Sequence, residues 1–272
     1  MASTPRFPGV ARSPSPVAAA SRRDRVLIAS CIVLITALAW AYLVHLDRQM
    51  SSSIEADTMM AKMGMVMNQP WGARGLLFTF VMWAVMMVGM MTAAALPVLL
   101  LFAGAHAKRA GRGAVPAVLL FGLGYIVVWL GFSTCATVAQ WALHQGALLS
   151  PTMATSSTPA AGAILIAAGA YQLTPLKGGC LTQCQSPLGF LMGNWRDGSS
   201  GAFLMGLRHG ALCLGCCWAL MGVLFVVGVM NLVWVAVLTG FILLEKLGPT
   251  GGRVARAGGA ILIASGVVLV WR

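Results

Sequence analysis

Acidic residues are nearly absent: six Asp and Glu stand against 18 Lys and Arg in 272 residues, and charged residues make up only 9% of the chain. A water-exposed globule covers itself with roughly a quarter or more of charged residues, so this chain has too few to clothe a soluble surface. The same scarcity excludes the carboxylate cages that Ca2+ and Mg2+ require. Several signatures are also missing: the G-x-x-x-x-G-K-[ST] phosphate loop, a strand-linked dinucleotide glycine pattern, H-E-x-x-H and G-x-S-x-G. ATP-driven pumping by this chain alone therefore has no machinery.

What the chain has in abundance is apolar sequence, 59% of all residues. Runs of about 18 or more nearly uncharged residues, long enough to cross ~30 Å of hydrocarbon as helix, recur along it. The pattern predicts an all-α, polytopic transmembrane helix bundle of about seven spans, near 26–44, 76–102, 115–143, 160–176, 202–227, 231–247 and 256–271. The fourth and sixth are short.

The formal charge of +12 is distributed by loop. With the N-terminus in the cytoplasm, the inner segments carry Arg6, Arg12, Arg22, Arg23, Arg25, Lys108, Arg109, Arg112, Lys177, Arg196, Arg208, Lys246, Arg253 and Arg256. Only Arg48, Lys62, Arg74 and Arg272 fall outside. This is the positive-inside bias, so the basic balance reports orientation and the lipid bilayer, and no nucleic-acid partner is expected. Residues 1–25, rich in Pro, Ser, Ala and Arg, are expected to be a disordered basic tail, followed by one integral domain over 26–272. The twin arginine in "SRRDRVL" is read as the positive flank of the first span rather than an export signal, because the apolar run behind it exceeds a usual signal core.

Between the spans, the outer segment 45–75 contains "TMMAKMGMVMNQPWG" and is expected to hold a short interfacial helix ending before Pro70. Residues 177–201, too polar to span and too apolar to be freely solvated, are expected to be re-entrant or interfacial on the cytoplasmic side.

Seven cysteines are present, and Cys180, Cys184, Cys213, Cys216 and Cys217 fall together. The first two form C-x3-C in the inner segment; the others form C-x2-C-C on the fifth predicted span. On a helix, Met205, His209, Cys213, Cys216 or Cys217, and Met221 share one stripe, and every member can bind a soft metal. Thiolates and thioethers select Cu(I), zinc or iron–sulfur iron. A reducing cytoplasmic location keeps such thiols free to ligate. Cys31 and Cys135, each alone in its helix, are read as small apolar packing residues. Arg208 is expected near the headgroups, snorkelling or balancing thiolate charge, and Glu245 is either functional or paired with Arg208 or Lys246.

Methionine is also abundant, 17 in all. Met82, Met86 and Met90 repeat every fourth residue in the second span, beside a parallel column of Met87 and Met91. The outer run Met59, Met60, Met63, Met65 and Met67 offers thioethers where thiols would tend to oxidise, suited to capturing Cu(I).

These residues sit in a recognisable pattern: "WAVMMVGMM" followed by Pro97, "YQLTPLKGGCLTQCQSP" over 171–187, and "GALCLGCCWALMGVLFVVGVMNLVWVAVLTGFILLEKLGP" over 210–249. The chain resembles a bacterial family of predicted metal-binding integral membrane proteins. The matching residues are Trp83, Met86, Met90, Met91, Tyr171, Gln172, Pro175, Lys177, Cys180, Cys184, Cys213, Cys216, Cys217, Trp218, Met221, Met230, Asn231, Glu245 and Lys246. Thr92 stands where the family often has proline. The resemblance implies metal binding in a bacterial inner (cytoplasmic) membrane, without implying a reaction.

The leading expectation is a protein that binds a soft metal ion, Cu(I) before zinc or iron, for transport or for delivery to a metallochaperone or membrane complex. Cys180, Cys184, Cys213, Cys216, Cys217, His209, Met86, Met90 and Met221 are the expected ligands. Two other readings use the same residues. One is a membrane enzyme with a thiol-redox pair or metal centre acting on a lipid-soluble substrate; the other is an assembly factor for a membrane complex. All require the two cysteine segments to converge, with sulfurs within ~4 Å, as two thiolates ~2.3 Å from one metal demand.

Overall fold

The computed structural model describes residues 21–62, 72–110, 114–146, 155 and 157–271. Among these residues the chain forms ten helices: α1 (Arg22–Lys62), α2 (Ala73–Ala110), α3 (Val115–Gln145), α4 (Thr158–Gln172), α5 (Pro175–Gln185), α6 (Pro187–Asn194), α7 (Gly198–Gly222), α8 (Leu224–Val227), α9 (Leu232–Leu247) and α10 (Gly251–Val270). The all-α bundle expected from the apolar runs is what the chain builds.

Local signals explain where the helices begin. Proline occupies the first helical turn of α3, α4, α5 and α6, where its missing N–H costs nothing. The side-chain oxygens of Ser157, Thr174 and Asn231 accept the otherwise unpaired N–H groups of Ala160, Lys177 and Trp234 at the starts of α4, α5 and α9.

Among the described residues, five helical segments are long and apolar enough to cross a membrane: Arg22–Met50, Ala73–Arg109, Val115–Gln145, Gly198–Val227 and Gly251–Val270. The expected count of about seven compares with five such segments, or six if the bent pair of α4 and α5 is one span. The fourth and sixth runs form helices of only 15 and 16 residues, α4 and α9. α4 is joined to α5 through a 61° bend, and the two together make at most a sixth span. The bend has a plain cause: Pro175 cannot continue the ladder of α4, and Thr174 caps the new helix instead.

Two further expectations change. α1 runs unbroken to Lys62, so residues 51–62 prolong the first helix beyond its spanning segment, which ends at Met50, rather than form a separate helix; Met63, Met65, Met67 and Pro70 lie outside the described residues, as do residues 1–20. The segment 177–201 is largely helical, built from α5, α6 and the start of α7.

α3 packs on α7, α4 on α10, and α2 on both α1 and α3. Small residues permit the closest approaches, as at helix contacts in lipid. A Cβ on Gly206 of α7 would collide with the Phe121 carbonyl of α3, and one on Gly124 of α3 with the Phe203 carbonyl. Gly162 and Gly169 of α4 meet Gly266 and Gly259 of α10 in the same way. The interior created by these seams holds Trp83, Phe121, Phe190 and the thioether columns Met82, Met86, Met90 and Met87, Met91, all at most 1% exposed.

Candidate metal centre

α7 carries three cysteines on consecutive turns of its buried face: Cys213, Cys216 and Cys217 are 2%, 0% and 1% exposed. α5, set at an angle by the Pro175 bend, lies against this face. It brings the Cys184 Sγ to 4.0 Å from the Cys216 Sγ. Cys180, one turn earlier on α5, lies over Gly215, where a Cβ would stand 2.9 Å from its sulfur. The two sulfur-bearing segments therefore converge. The backbone of Gly215 is held on its other side by the Tyr171 hydroxyl, which donates to the Gly215 carbonyl.

The remaining thiols face a different set of neighbours. Cys213 Sγ is 2.9 Å from Lys246 Nζ and 3.1 Å from the Tyr125 hydroxyl, which also lies 3.0 Å from the Met91 carbonyl. Cys217 Sγ lies 3.7 Å from Lys246 Nζ and 4.0 Å from Met91 Sδ. The Cys216 and Cys217 thiols both donate to the carbonyl of Cys213, at 3.1 and 3.0 Å. This doubled use of one carbonyl is the ordinary way thiols in a helix satisfy themselves, and it leaves their sulfur lone pairs pointing away from the backbone.

Charge is arranged with equal economy. A buried ion pair joins Lys177 to Glu245, at 2.7 Å and with both side chains 1% exposed. Gln172 bonds both partners, its Nε2 to Glu245 Oε1 at 3.0 Å and its Oε1 from Lys177 Nζ. Gln185 at the end of α5 donates to the Glu245 carbonyl at 2.7 Å. Residues 245 and 246 thus reach in two directions from the end of α9, Glu245 gripping α5 and Lys246 reaching α7. Glu245 pairs with neither Arg208 nor Lys246, the two partners expected from sequence proximity to the membrane edge. Lys246, rather than Arg208, is the cation against the thiols; Arg208 is exposed.

Of the other expected ligands, His209 lies one turn before Cys213, 4% exposed and enclosed by Tyr125, Phe190 and Phe121 at ring-centroid distances of 5.9, 5.0 and 6.0 Å. Its Nδ1 is buried without a hydrogen-bond partner. Met86, Met90 and Met221 are buried in the same core, but the thioether that meets a thiol is Met91. Sequence reasoning placed Met91 in the second methionine column without singling it out, and Lys246 only as a neighbour of Glu245. Tyr125 gave no sequence signal at all. Of the outer methionines, Met59 is 68% exposed; the side chain of Met60 and residues Met63, Met65 and Met67 are outside the described set. Cys31 and Cys135 are exposed on the protein surface.

Among the described residues no three or more His, Cys, Asp or Glu side chains are gathered closely enough to hold a metal ion between them. The donor set is instead a thiol pair with thioether and further thiols beside it. At metal–sulfur distances of ~2.3 Å, a sulfur pair 4.0 Å apart subtends about 120° at the metal. That is an angle for a low-coordinate soft ion, which a sulfur-rich, carboxylate-poor pocket selects.

No curated protein and no solved structure matches the chain. Residues 80–269 match the model of a family described as PpoB2, copper chaperone. The match begins at α2 and takes in every cysteine of the cluster, Met91, Tyr125, His209 and Lys246. It covers well over half of the sequence, and the chain therefore belongs to this copper chaperone family.

Proposed function

We propose that the protein holds Cu(I) in a thiolate pocket inside a multi-pass membrane bundle and delivers it to a partner. Copper is the cargo. The observation that carries this reading is the 4.0 Å approach of Cys184 to Cys216, since it joins two cysteine motifs separated in sequence and does so on the apolar inside of the bundle. Cys184 and Cys216 supply the first two bonds, and Cys213, Cys217 and Cys180 stand close enough to replace either. Met91 adds a thioether on the far side of Cys217. Met86, Met90 and Met221 extend the soft lining, and His209 stands at its approach.

The charge balance supports a monovalent ion. Two thiolates and one Cu(I) leave a single negative charge, and the Lys246 ammonium at 2.9 Å from Cys213 offsets it without any carboxylate. A divalent ion on the same two sulfurs would bring the pocket to an excess positive charge in a low-dielectric interior, which is costly. The asymmetry of Lys and Arg along the sequence favours an orientation with the N-terminus and the α5–α6 segment toward the cytoplasm of a bacterial inner membrane, the integral unit beginning near residue 26.

The test is a Cu(I) titration of the purified, detergent-solubilised protein with elemental analysis for copper, zinc and iron. The unmodified chain is expected to retain Cu(I), and Cys184→Ser with Cys216→Ser to lose it. Unchanged stoichiometry in the double variant overturns the reading.

A further inference from the structure

α7 continues the line of soft donors beyond the thiols in both directions, to Met221 on one side and to His209 and Met205 on the other. Counting back from Cys213 in helical steps of four gives His209 and then Met205, which share its face. Both are buried, at 4% and 1% exposure. His209 keeps its Nδ1 buried and unpartnered, an arrangement that leaves a polar atom without compensation and is rare unless something else binds there. Met205 Sδ accepts a hydrogen bond from the Arg196 backbone N–H at 3.3 Å, which fixes the thioether while leaving a second lone pair.

Met205 is also the floor of an open cavity of about 390 Å³ between the end of α6 and the first turns of α7, edged by Asn194, Arg196 and Arg208. Arg196 and Arg208 are exposed, and neither is among the ion pairs of the described residues. A bare cation is repelled by such a rim. An anion is attracted.

We propose that this cavity is a loading mouth for Cu(I) carried as an anionic thiolate complex, and that Met205 and His209 form the two-step relay from the mouth to Cys213. This inference rests on the reading of the cysteine cluster as a Cu(I) site. The two guanidinium groups draw the anionic complex to the rim. There the carrier thiolate is exchanged for the Met205 thioether and then the imidazole of His209. Each step breaks one copper–donor bond and forms another; copper remains Cu(I), no electron moves, and the released thiolate departs with the carrier. The first exchange, from carrier thiolate to thioether, is uphill by itself; from Met205 inward the donors grip more firmly, and the several thiolates at the end of the relay draw the ion through.

The test measures loading rates of the full chain in detergent micelles from two probes, the anionic Cu(I)–glutathione complex and the cationic Cu(I)–acetonitrile complex. Arg196→Gln with Arg208→Gln is expected to slow loading from the glutathione complex by roughly tenfold, the lower end of electrostatic steering, and to leave or raise the rate from the acetonitrile complex. Arg196→Lys with Arg208→Lys should restore the first rate. Met205→Leu, which keeps volume and apolarity, should slow both probes while final copper stoichiometry stays at the parent value. Parent rates in the Met205→Leu chain, or an equal effect of the Gln pair on both probes, overturn the relay and mouth alone. A parent chain that binds no copper overturns the underlying site reading and this inference with it.

Discussion

Lys246 on α9 directs its ammonium at Cys213 on α7, 2.9 Å from the sulfur, in a pocket where both side chains are at most 4% exposed. An ammonium buried this deeply requires a compensating anion or strong acceptors. Its neighbours are Cys213, Cys217 at 3.7 Å and the Met91 thioether at 3.8 Å, so the compensation comes from sulfur. The relationship ties the stability of the resting pocket to the same atoms that would hold copper.

Replacing Lys246 with Met therefore has an expected direction. The variant keeps the length and apolar stem but removes the charge that offsets a copper-dithiolate. A hydrogen bond to a charged group contributes about 1.5–3 kcal/mol, equivalent to a ten- to hundredfold weaker Cu(I) affinity. Competition against a calibrated Cu(I) chelator measures it, and affinity equal to the parent would show that the ammonium plays no part in holding the ion.

The Lys177–Glu245 pair makes a separate prediction about the scaffold. Both groups are 1% exposed, so Glu245→Leu alone strands a buried ammonium and should cost about 3–5 kcal/mol. The double change Lys177→Met with Glu245→Leu removes both charges and should recover a large part of that loss. Thermal unfolding in one detergent checks the order of the three chains. Single and double variants melting together would mean the pair is solvated or otherwise compensated.

Much of this architecture was legible in the sequence because hydrophobic length alone specifies a membrane helix. α1, α2, α3, α7 and α10 follow the predicted runs. α4 and α9 are each shorter than a straight span, for opposite reasons. Pro175 cuts the first short, and α9 simply ends at Gly248 after 16 residues. The cysteine convergence was also foreseeable, since C-x3-C and C-x2-C-C share a chemistry that only proximity can use. What the sequence could not reveal was the third dimension of charge. Lys177 and Glu245 are 68 positions apart, and Lys246 and Cys213 are 33 apart. No periodicity along one helix connects such residues, and no pattern marked Tyr125 as the hydroxyl that meets Cys213.

Thiol accessibility gives a third prediction. Cys31 and Cys135 are exposed, Cys180 and Cys184 half-buried, and the α7 cysteines buried. A small membrane-permeant maleimide should modify the α5 pair before the α7 group, which reacts last or only on unfolding; Cys31 and Cys135, within spanning helices, serve as internal references. Pre-loading with Cu(I) should protect Cys180 or Cys184 while leaving the rates at Cys31 and Cys135 unaltered. Mass spectrometry of the labelled peptides reads each site. Protection at Cys31 or Cys135, or none at Cys184, would move the copper site elsewhere.

Glycine substitutions separate the scaffold from the site. At Gly206 an added Cβ meets the Phe121 carbonyl of α3, a backbone atom that cannot rotate aside. Gly206→Ala should therefore push α3 from α7 and cost about 1–3 kcal/mol, the usual range for overpacking, or more. At Gly215 an added Cβ meets the Cys180 sulfur, the free end of a short side chain, at 2.9 Å. Gly215→Ala should therefore melt close to the parent, because the sulfur turns away at small cost. The same turn removes Cys180 from the face of α7, so the variant should hold Cu(I) through Cys184 and Cys216 with fewer sulfur neighbours. X-ray absorption at the copper edge counts those neighbours. A chain that loses stability at position 215 as strongly as at 206, with an unchanged sulfur count, would show that Cys180 is a packing residue and that the donor set narrows to Cys184 and the α7 thiols.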